Sequence, residues 1–225
     1  MPSARVMTYN ILHGGERGAP VHDVVRAVDP DVLLVQETPK WPLVWRRGCQ
    51  RLVAAWDMRL VAGGRPAGSN LIAVRRGIAV KSSGSVAFSD GRFAPRRGVA
   101  WAQLRIEGRL VGVVCTHFSL EAWRREREVE RLLEVAAGLR GPLILGGDLN
   151  ERPTAPNWRR LVAAGYADHG SKQWRTFPSD EPVKRIDALL VRGPAEVVHH
   201  GDPGVADEML VAASDHRPVL AVLDF

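Results

Sequence analysis

Short apolar runs separated by polar turns dominate the hydrophobic pattern of this chain and predict a mixture of strands and helices. Nine runs have the length and apolar content of strands, at residues 5–12, 31–37, 69–76, 98–106, 109–119, 141–150, 185–191, 195–200 and 218–225. Four segments favour helices, at 21–28, near 43–56, 120–139 and 156–165. Because the strands are numerous and mostly alternate in polarity, we expect antiparallel or mixed sheets with helices packed outside them.

Tryptophans stand out in the second helical segment and just before it. Trp41, Trp45 and Trp56 recur at or near helical spacing. Large aromatic side chains at such spacing are usually buried. We therefore predict that these three residues, and Trp101 in a later strand, belong to the core.

Polar side chains stand at the ends of several apolar runs. They are Asn10, Glu37, His117, Asp148, Asn150 and Asp187, with Asp215 and His216 just before the last run. Each one alone has an ordinary explanation as a turn former or a solvated group. So many in one chain indicate a shared site at the strand ends.

Length and composition fit one globular domain covering residues 1–225. The chain has 45% hydrophobic and 25% charged residues, which is ordinary for a soluble protein. No apolar run approaches the roughly 20 residues needed to span a bilayer. The first residues lack the apolar region of a secretory signal, and no apolar hairpin that could enter a membrane is apparent. The expected location is cytoplasmic.

Charge and cysteine content add two weaker constraints. The net charge of +6 is compatible with a polyanionic substrate. It does not establish one, because an Arg-rich genomic codon bias gives the same charge. Cys49 lies in a polar stretch and Cys115 in an apolar run, and neither has the neighbours of a thiolate metal site. Two free thiols are therefore favoured over a disulfide.

Six short motifs in order resemble those of the endonuclease/exonuclease/phosphatase family: MTYNI, VQE, THFS, GGDLN, RID and SDH. The resemblance extends from Asn10 to His216, and six motifs in the same order are far more specific than any one of them. Arg127, the segment 161–168 and WRTF at 174–177 agree with it. It implies an α/β (α+β) fold, a DNase I-like four-layer sandwich of two packed mixed β-sheets flanked by helices. It also implies a metal-dependent phosphoester hydrolase.

The resemblance assigns a metal site to three of the polar residues. Asn10 and Glu37 match the family's Mg²⁺ ligands, and Asp215 resembles a ligand of the metal or of a water beside it. Mg²⁺ prefers a few oxygen ligands and retains several waters. Mn²⁺ is the expected substitute.

The resemblance also assigns catalytic roles. Asp148 is matched to positioning or deprotonating the attacking water, and Asn150 to donating to a phosphate oxygen. On an extended segment, residues two apart point to the same face. Asp187 and His216 match a carboxylate–imidazole pair, in which the histidine acts as a base or as a charged phosphate clamp. His117 matches a histidine that contacts a non-bridging or leaving oxygen.

Two polar loops, 88–98 and 168–184, are the candidate substrate contacts. Arg92, Arg96 and Arg97 flank Phe93 in the first loop, and Lys172, Trp174 and Arg175 precede Asp187 in the second. Arginine beside an aromatic side chain suits phosphate contact and base stacking. A solvated loop with one anchoring aromatic residue explains the pattern equally well.

The preferred function is a phosphodiesterase or nuclease that cleaves nucleic acid by metal-assisted attack of water. THFS argues against abasic-site repair, because that branch of the family carries a tyrosine at the position of His117. The alternatives within the enzyme class are a phosphomonoesterase and a small-molecule or lipid phosphodiesterase resembling inositol phosphatases or sphingomyelinases. A catalytically silent binding module is the alternative outside it, and it is disfavoured because none of the matched residues is missing.

Overall fold

The computed structural model describes residues 3–15, 18–88, 96–170 and 173–225. Its strands, in chain order, are β1 (Ser3–Asn10), β2 (Val32–Gln36), β3 (Met58–Gly64), β4 (Asn70–Arg75), β5 (Ala79–Phe88), β6 (Arg97–Ile106), β7 (Arg109–His117), β8 (Leu143–Asp148), β9 (Ala167–Asp168), β10 (Asp187–Arg192), β11 (Glu196–Gly201) and β12 (Val219–Asp224). Its α-helices are α1 (Leu12–Gly15), α2 (Ala19–Val28), α3 (Trp45–Ala54), α4 (Ala122–Ala137), α5 (Pro156–Ala163) and α6 (Asp207–Ala213).

These strands form two packed mixed sheets. The first sheet has the order β11-β12-β1-β2-β4-β3, and the second has the order β5-β6-β7-β8-β10-β9. One pair in each sheet is parallel, β1 with β2 and β7 with β8, and the other pairs are antiparallel. The predicted fold class is confirmed.

Alternating side chains divide the apolar residues among three core regions. On β2, Val32 and Leu34 face the second sheet, whereas Leu33 and Val35 face helices α2, α3 and α6. Helices α4 and α5 cover the outer face of the second sheet. Because the central strands are buried on both faces, they read as continuous apolar runs. The result is the predicted order of helix, sheet, sheet and helix.

The predicted helix 120–139 is confirmed as α4, and its apolar stripe is buried as expected. Val129, Leu132 and Ala136 lie in the core beneath it. Strands β3, β5 and β9 and helix α6 were not predicted from the hydrophobic pattern. Three of those four elements are strands at or near sheet edges, where one side lacks a pairing partner.

Cysteines and tryptophans give mixed outcomes. Cys49 and Cys115 are both free and buried, as predicted. Trp56 is buried, and Trp45 packs against the core beneath α3. Trp41 was predicted to be a core residue, and this is wrong. It lies in a turn before α3 that points away from the sheet, and its side chain is 76% exposed.

Within the described residues, the structure contains no helix with the length and apolarity required to cross a membrane.

A largely buried ion pair ties the end of the second sheet together. Arg185 donates to both carboxylate oxygens of Asp168, at 2.9 and 2.6 Å. Burial opposes ionisation of this carboxyl, but the bonds from Arg185 outweigh burial and hold the pKa of Asp168 below its usual value. Breaking one partner of such a pair leaves a buried, uncompensated charge.

Replacing this carboxylate is expected to destabilise the fold in a pH-dependent way. Asp168→Asn should lower the free energy of unfolding by about 2–4 kcal/mol at neutral pH. Because the folded pKa lies below the unfolded one, this contribution is complete above about pH 4 and is lost as the pH falls through the folded value. Urea denaturation of both proteins across this pH range measures it.

The matched control is the exposed pair Arg76–Asp57, whose two side chains are 68% and 88% exposed. Asp57→Asn should change stability by no more than about 1 kcal/mol at any pH. Equal effects of the two substitutions would contradict the assignment.

Candidate active site

Strand ends from both sheets converge at one end of the sandwich. In the first sheet, Asn10 ends β1 beside Gln36, and Glu37 follows directly. In the second sheet, His117 pairs with Asp148 across β7 and β8, and Asp148 pairs with Asp187 across β8 and β10. Parallel strands in both sheets therefore place their carboxyl ends together. Polar groups that are up to 177 residues apart in sequence become neighbours there.

Asp148 is the centre of this cluster and is almost completely buried. Its Oδ2 accepts a hydrogen bond from Nδ2 of Asn10 at 3.2 Å. The same oxygen lies 3.2 Å from Nε2 of His117 and 3.8 Å from Nε2 of His216. One carboxylate thus contacts an amide and two imidazoles that come from three different strand ends.

Asp187 and His216 form the predicted carboxylate–imidazole pair. Nδ1 of His216 lies 2.9 Å from Oδ2 of Asp187, which leaves Nε2 facing Asp148. The ring of Phe177 lies against the imidazole with centroids 4.8 Å apart. The hydroxyl of Thr176 accepts hydrogen bonds from the backbone N–H groups of Ile186 and Asp187. WRTF therefore supplies two residues that fix the pair.

Asn10, Glu37 and Asp215 lie along a second, more open side of the cluster. Nδ2 of Asn10 is 3.4 Å from Oε1 of Glu37. The hydroxyl of Ser214 donates to the backbone carbonyl of Asn10 at 2.7 Å and lies 3.4 Å from Oδ1 of Asp215. The structure thus brings together the three residues matched to the metal.

Two glycines in GGDLN are required by close packing. A Cβ on Gly147 would lie 1.9 Å from the backbone oxygen of Thr116 in the neighbouring strand, and one on Gly146 would lie 2.5 Å from Leu34 of the other sheet. Gly147 also has φ +154°. Both positions favour the residue without a side chain, and they hold Asp148 at the junction between the sheets.

The expectation that Asp148 and Asn150 project from an extended segment is wrong. Asn150 has φ +48°, and its N–H donates to Oδ1 of Asp148 at 2.9 Å. A carboxylate that accepts from the backbone two residues later makes a tight turn. The amide of Asn150 consequently points back to β7, where Nδ2 donates to the carbonyl of Phe118 at 2.9 Å. Asn150 thus remains beside the site but with a different orientation.

Burial and neighbouring charges set the proton affinities of the cluster. Burial disfavours the charge on His216, but Asp187 and then Asp148 outweigh it and raise the pKa of the imidazole to about 10. Burial is the main reason that the pKa of His117 lies well below its usual value, and the cations Arg97 and His216 lower it further. Burial, followed by repulsion from Asp187, raises the pKa of Asp148. At neutral pH the site therefore has one charged and one neutral imidazole.

The donor atoms suit a hard divalent cation. Carboxylate oxygens of Asp148 and Asp187 lie within 4.8 Å of each other and of a ring nitrogen of His216. Oδ1 of Asp187 is buried and has no hydrogen-bond partner among the described residues. The amide of Asn10 donates to the carboxylates of both Asp148 and Glu37, which brings Glu37 beside this group. Carboxylate and amide oxygens are the ligands preferred by Mg²⁺ and Mn²⁺, so the residues present fit such an ion.

A basic cavity of about 410 Å³ opens beside the cluster. It is lined by His13, Glu37, Lys40, Arg65, Gly68, Ser69, Arg96, Arg97 and His117. Arg97 is half-buried, and its Nε has no hydrogen-bond partner among the described residues. Burial lowers the pKa of its guanidinium, and nearby carboxylates, led by Asp148, partly offset this lowering. A cavity with four permanent cations and one carboxylate favours an anionic ligand.

The remaining predicted substrate contacts lie elsewhere. Trp174 packs against two of the core regions and donates its indole N–H to the carbonyl of Pro218 at 3.0 Å. Trp174 is half-buried, and the guanidinium of Arg217 lies 5.7 Å from its ring centre, so its role in base stacking stays a prediction. Arg175 lines a different cavity, with Arg152 and Arg185, so it does not share one surface with Arg97. Arg92, Phe93 and Lys172 lie outside the described residues.

Several functional neighbours were missed from sequence. Lys40, Arg65 and Ser69 line the basic cavity, but loop residues of these types carry no distinguishing signal. Arg217 is buried and donates to the carbonyl of Ser179 and to Asp207. Arg125 anchors α4 through Glu151 at 2.7 Å. These contacts depend on the fold and not on local pattern.

The chain matches the model of the Endonuclease/Exonuclease/phosphatase family over residues 7–216. None of the curated protein sequences matches it. Among solved structures, an endonuclease/exonuclease/phosphatase from Bacteroides vulgatus is 18% identical, with full coverage of both chains and a TM-score of 0.78. The Bacteroides thetaiotaomicron mannosyl-6-phosphatase Bt3783 is 20% identical (99% and 100% covered, TM-score 0.78). TDP2 of D. rerio, solved with a single-strand DNA product, is 15% identical (99% of each chain covered, TM-score 0.75).

These likenesses show a shared fold. The family match shows more: the chain belongs to the Endonuclease/Exonuclease/phosphatase family and is a hydrolase of phosphoester bonds.

Proposed function

We propose that the protein is a Mg²⁺-dependent phosphodiesterase that cleaves its substrate by direct attack of water. The observation that carries this proposal is the contact of one buried carboxylate, Asp148, with Asn10, His117 and His216. The hydroxyl of Ser214 in this cluster is fully buried and donates to the backbone carbonyl of Asn10 at 2.7 Å, so it is not free to attack. Water activated by a carboxylate is the attack that this arrangement supports.

Asn10, Glu37 and Asp215 are the proposed ligands of the ion, on the open side of the cluster. When bound there, Mg²⁺ would supply neutralisation of the phosphate and of the leaving oxygen. Asp148, whose pKa is raised by burial, would accept the proton of the attacking water. A carboxylate with a raised pKa is the better base, because its proton affinity is closer to the operating pH.

His216 is assigned the role of a charged phosphate clamp. Its raised pKa keeps the imidazole protonated at neutral pH, so it has no vacant nitrogen with which to accept a proton. Asp187 would hold the ring in place and stabilise its charge. His117 stays neutral and would donate from Nε2 to a non-bridging or leaving oxygen. The N–H of Asn150 donates to Asp148. Asn150 is therefore proposed to orient this base as well.

The preferred substrate remains a nucleic acid, supported by Arg96 and Arg97 at the basic cavity. TDP2, with its single-strand DNA product, offers a precedent on the same fold. The phosphatase Bt3783 is the corresponding precedent for a phosphomonoester substrate. Exposed apolar side chains next to the cavity residue Lys40, at Trp41, Leu43 and Val44, favour a lipid phosphodiester as a second candidate. The cytoplasmic location stays a prediction.

Metal removal tests the proposed chemistry. Purified protein should hydrolyse bis(p-nitrophenyl) phosphate with Mg²⁺ or Mn²⁺, and EDTA should abolish the rate until the ion is restored in excess. The physical reason is that Asn10 is neutral and Glu37 is negative, so without the cation they do not offset the charge on the reacting phosphate. Full activity after chelation and gel filtration would contradict the proposal. Substrate choice is then measured on a panel of single- and double-stranded DNA, RNA, sphingomyelin and inositol phosphates.

A further inference from the structure

Exposed apolar side chains are concentrated in two segments that follow the site residues Glu37 and His117 along the chain. Leu43 is 98% exposed and Leu120 is 74% exposed. Five of the nine large apolar side chains that are exposed in the described part of the chain belong to these segments: Trp41, Leu43, Val44, Leu120 and Trp123. Scattered single exposures are normal, whereas a grouping of this kind marks an interaction surface.

Residues 41–44, hereafter the apolar turn, form a rigid projection. The N–H groups of Val44 and Trp45 both donate to the carbonyl of Trp41, at 3.1 and 2.9 Å. Before the turn, Thr38 is fixed by hydrogen bonds from its N–H and its hydroxyl to the carbonyl of Ser69. After it, Trp45 packs beneath helix α3. The backbone is therefore anchored at both ends while three apolar side chains face solvent.

The charges around the apolar turn all have one sign. Residues 38–56 contain Lys40, Arg46, Arg47 and Arg51 and no Asp or Glu. These four basic side chains are exposed. An apolar tip surrounded by cations is complementary to a surface that has anionic groups above a hydrocarbon layer.

The apolar turn is directly connected to the candidate active site. Lys40 lines the basic cavity together with Glu37 and His117. The second exposed pair, Leu120 and Trp123, begins three residues after His117, and the guanidinium of Arg127 lies over the Trp123 ring at 5.6 Å. Any surface that covers the apolar turn would therefore lie next to Lys40, at the edge of the cavity.

We propose that the apolar turn docks the protein on an anionic lipid surface beside the basic cavity. Aliphatic side chains distinguish this occupant from nucleic acid, since Leu43 and Val44 have no π face on which a base could stack. The uniform positive charge of residues 38–56 opposes docking against a second copy of the same segment. Docking of this kind would select the second candidate substrate, a lipid phosphodiester, over nucleic acid, and this step alone rests on the proposed function.

The proposed docking differs from the sequence-based expectation of no membrane insertion, which rested on the absence of an apolar hairpin. The structure instead shows a short turn whose apolar residues are flanked by basic ones. Insertion of side chains from such a turn needs no spanning segment.

Vesicle binding tests the docking step. The wild-type protein should co-sediment with vesicles of phosphatidylcholine and phosphatidylserine much more than with phosphatidylcholine alone. Trp41→Ser combined with Leu43→Ser should weaken this binding by roughly 100-fold, because each side chain loses its burial in the hydrocarbon boundary. Arg46→Gln combined with Arg47→Gln should weaken it roughly 10- to 30-fold, and only with the anionic vesicles.

Matched controls use exposed valines on other surfaces. Val198 on β11 and Val162 on α5 are 60% and 46% exposed. Val198→Ser and Val162→Ser should leave vesicle binding within about twofold of wild type, since isolated surface apolar residues contribute little. Thermal melts of all variants confirm that each is folded. Hydrolysis of bis(p-nitrophenyl) phosphate should be unchanged in the apolar-turn variants, because the turn does not contact the cluster.

The outcomes separate the two proposals. Absence of vesicle binding by the wild type, or equal losses in the control variants, would overturn the docking proposal. Loss of single-stranded DNA binding in the apolar-turn variants with vesicle binding intact would assign the surface to nucleic acid. A dimer in sedimentation velocity that the same variants dissociate would assign it to a second copy. Vesicle binding by a protein that hydrolyses no phosphodiester would leave docking standing and refute the proposed activity.

Discussion

Asp148→Asn should lower kcat for phosphodiester hydrolysis by roughly 10²- to 10⁴-fold, the range expected when a positioned general base is lost. The substitution keeps the shape of the side chain and the hydrogen bond from the N–H of Asn150. It removes the negative charge that faces His117 and His216 at 3.2 and 3.8 Å. An amide cannot accept the proton of the attacking water at any accessible pH.

Steady-state kinetics with saturating Mg²⁺ measure this loss, with a thermal melt to show that the fold is retained. Asp148 is repelled by Asp187 and penalised by burial, so the neutral amide should not destabilise the protein. Glu130→Gln on the exposed face of α4 is the matched control and should retain the wild-type rate. A rate within tenfold of wild type for Asp148→Asn would refute its role as the base.

The second large effect is expected for the pair Asp187–His216. His216→Ala should lower kcat by roughly 10²- to 10⁴-fold because it removes a positive charge held against the phosphate. Asp187→Asn should lower it by a similar factor, since the imidazole loses the carboxylate at 2.9 Å that raises its pKa and fixes its orientation. Both substitutions act on one interaction.

Their combination provides the discriminating test. If Asp187 acts only through His216, the double variant should be no slower than His216→Ala, so the effects are strongly non-additive. Asp202→Asn, at an exposed loop position, serves as the control. Multiplicative losses in the double variant would show that Asp187 has a separate role, for instance as a ligand of the ion through its unpartnered Oδ1.

The order of short motifs was sufficient to predict the fold and most of the cluster. Asn10, His117, Asp148 and Asp187 each terminate or begin a buried strand, and apolar runs of that kind are evident without coordinates. The resemblance then placed them in one site. The register of strand pairs β1–β2, β7–β8 and β8–β10 brings these residues together in space. No single sequence segment encodes this register.

Other features depend on packing and were not predictable. The turn at Asn150 follows from a local hydrogen bond that competes with an extended backbone. Trp41 and Trp45 are four residues apart and equally apolar, yet only Trp45 packs against the core. The difference arises because helix α3 begins at Trp45, so Trp41 precedes the helical face that the spacing assumed. Edge strands such as β5 are too polar and exposed to show a buried pattern.

The cluster is also a seam between the two sheets. Asn10 and His216 are carried by strand termini of the first sheet, whereas His117, Asp148 and Asp187 are carried by the second. The 2.9 Å contact between Asp187 and His216 therefore exists only when the sheets are docked in register. Between β4 and β11 the chain builds the whole second sheet before it returns to complete the first. Hydrolytic activity therefore depends on correct docking of the two sheets, because a chain with either sheet misplaced lacks half of the cluster.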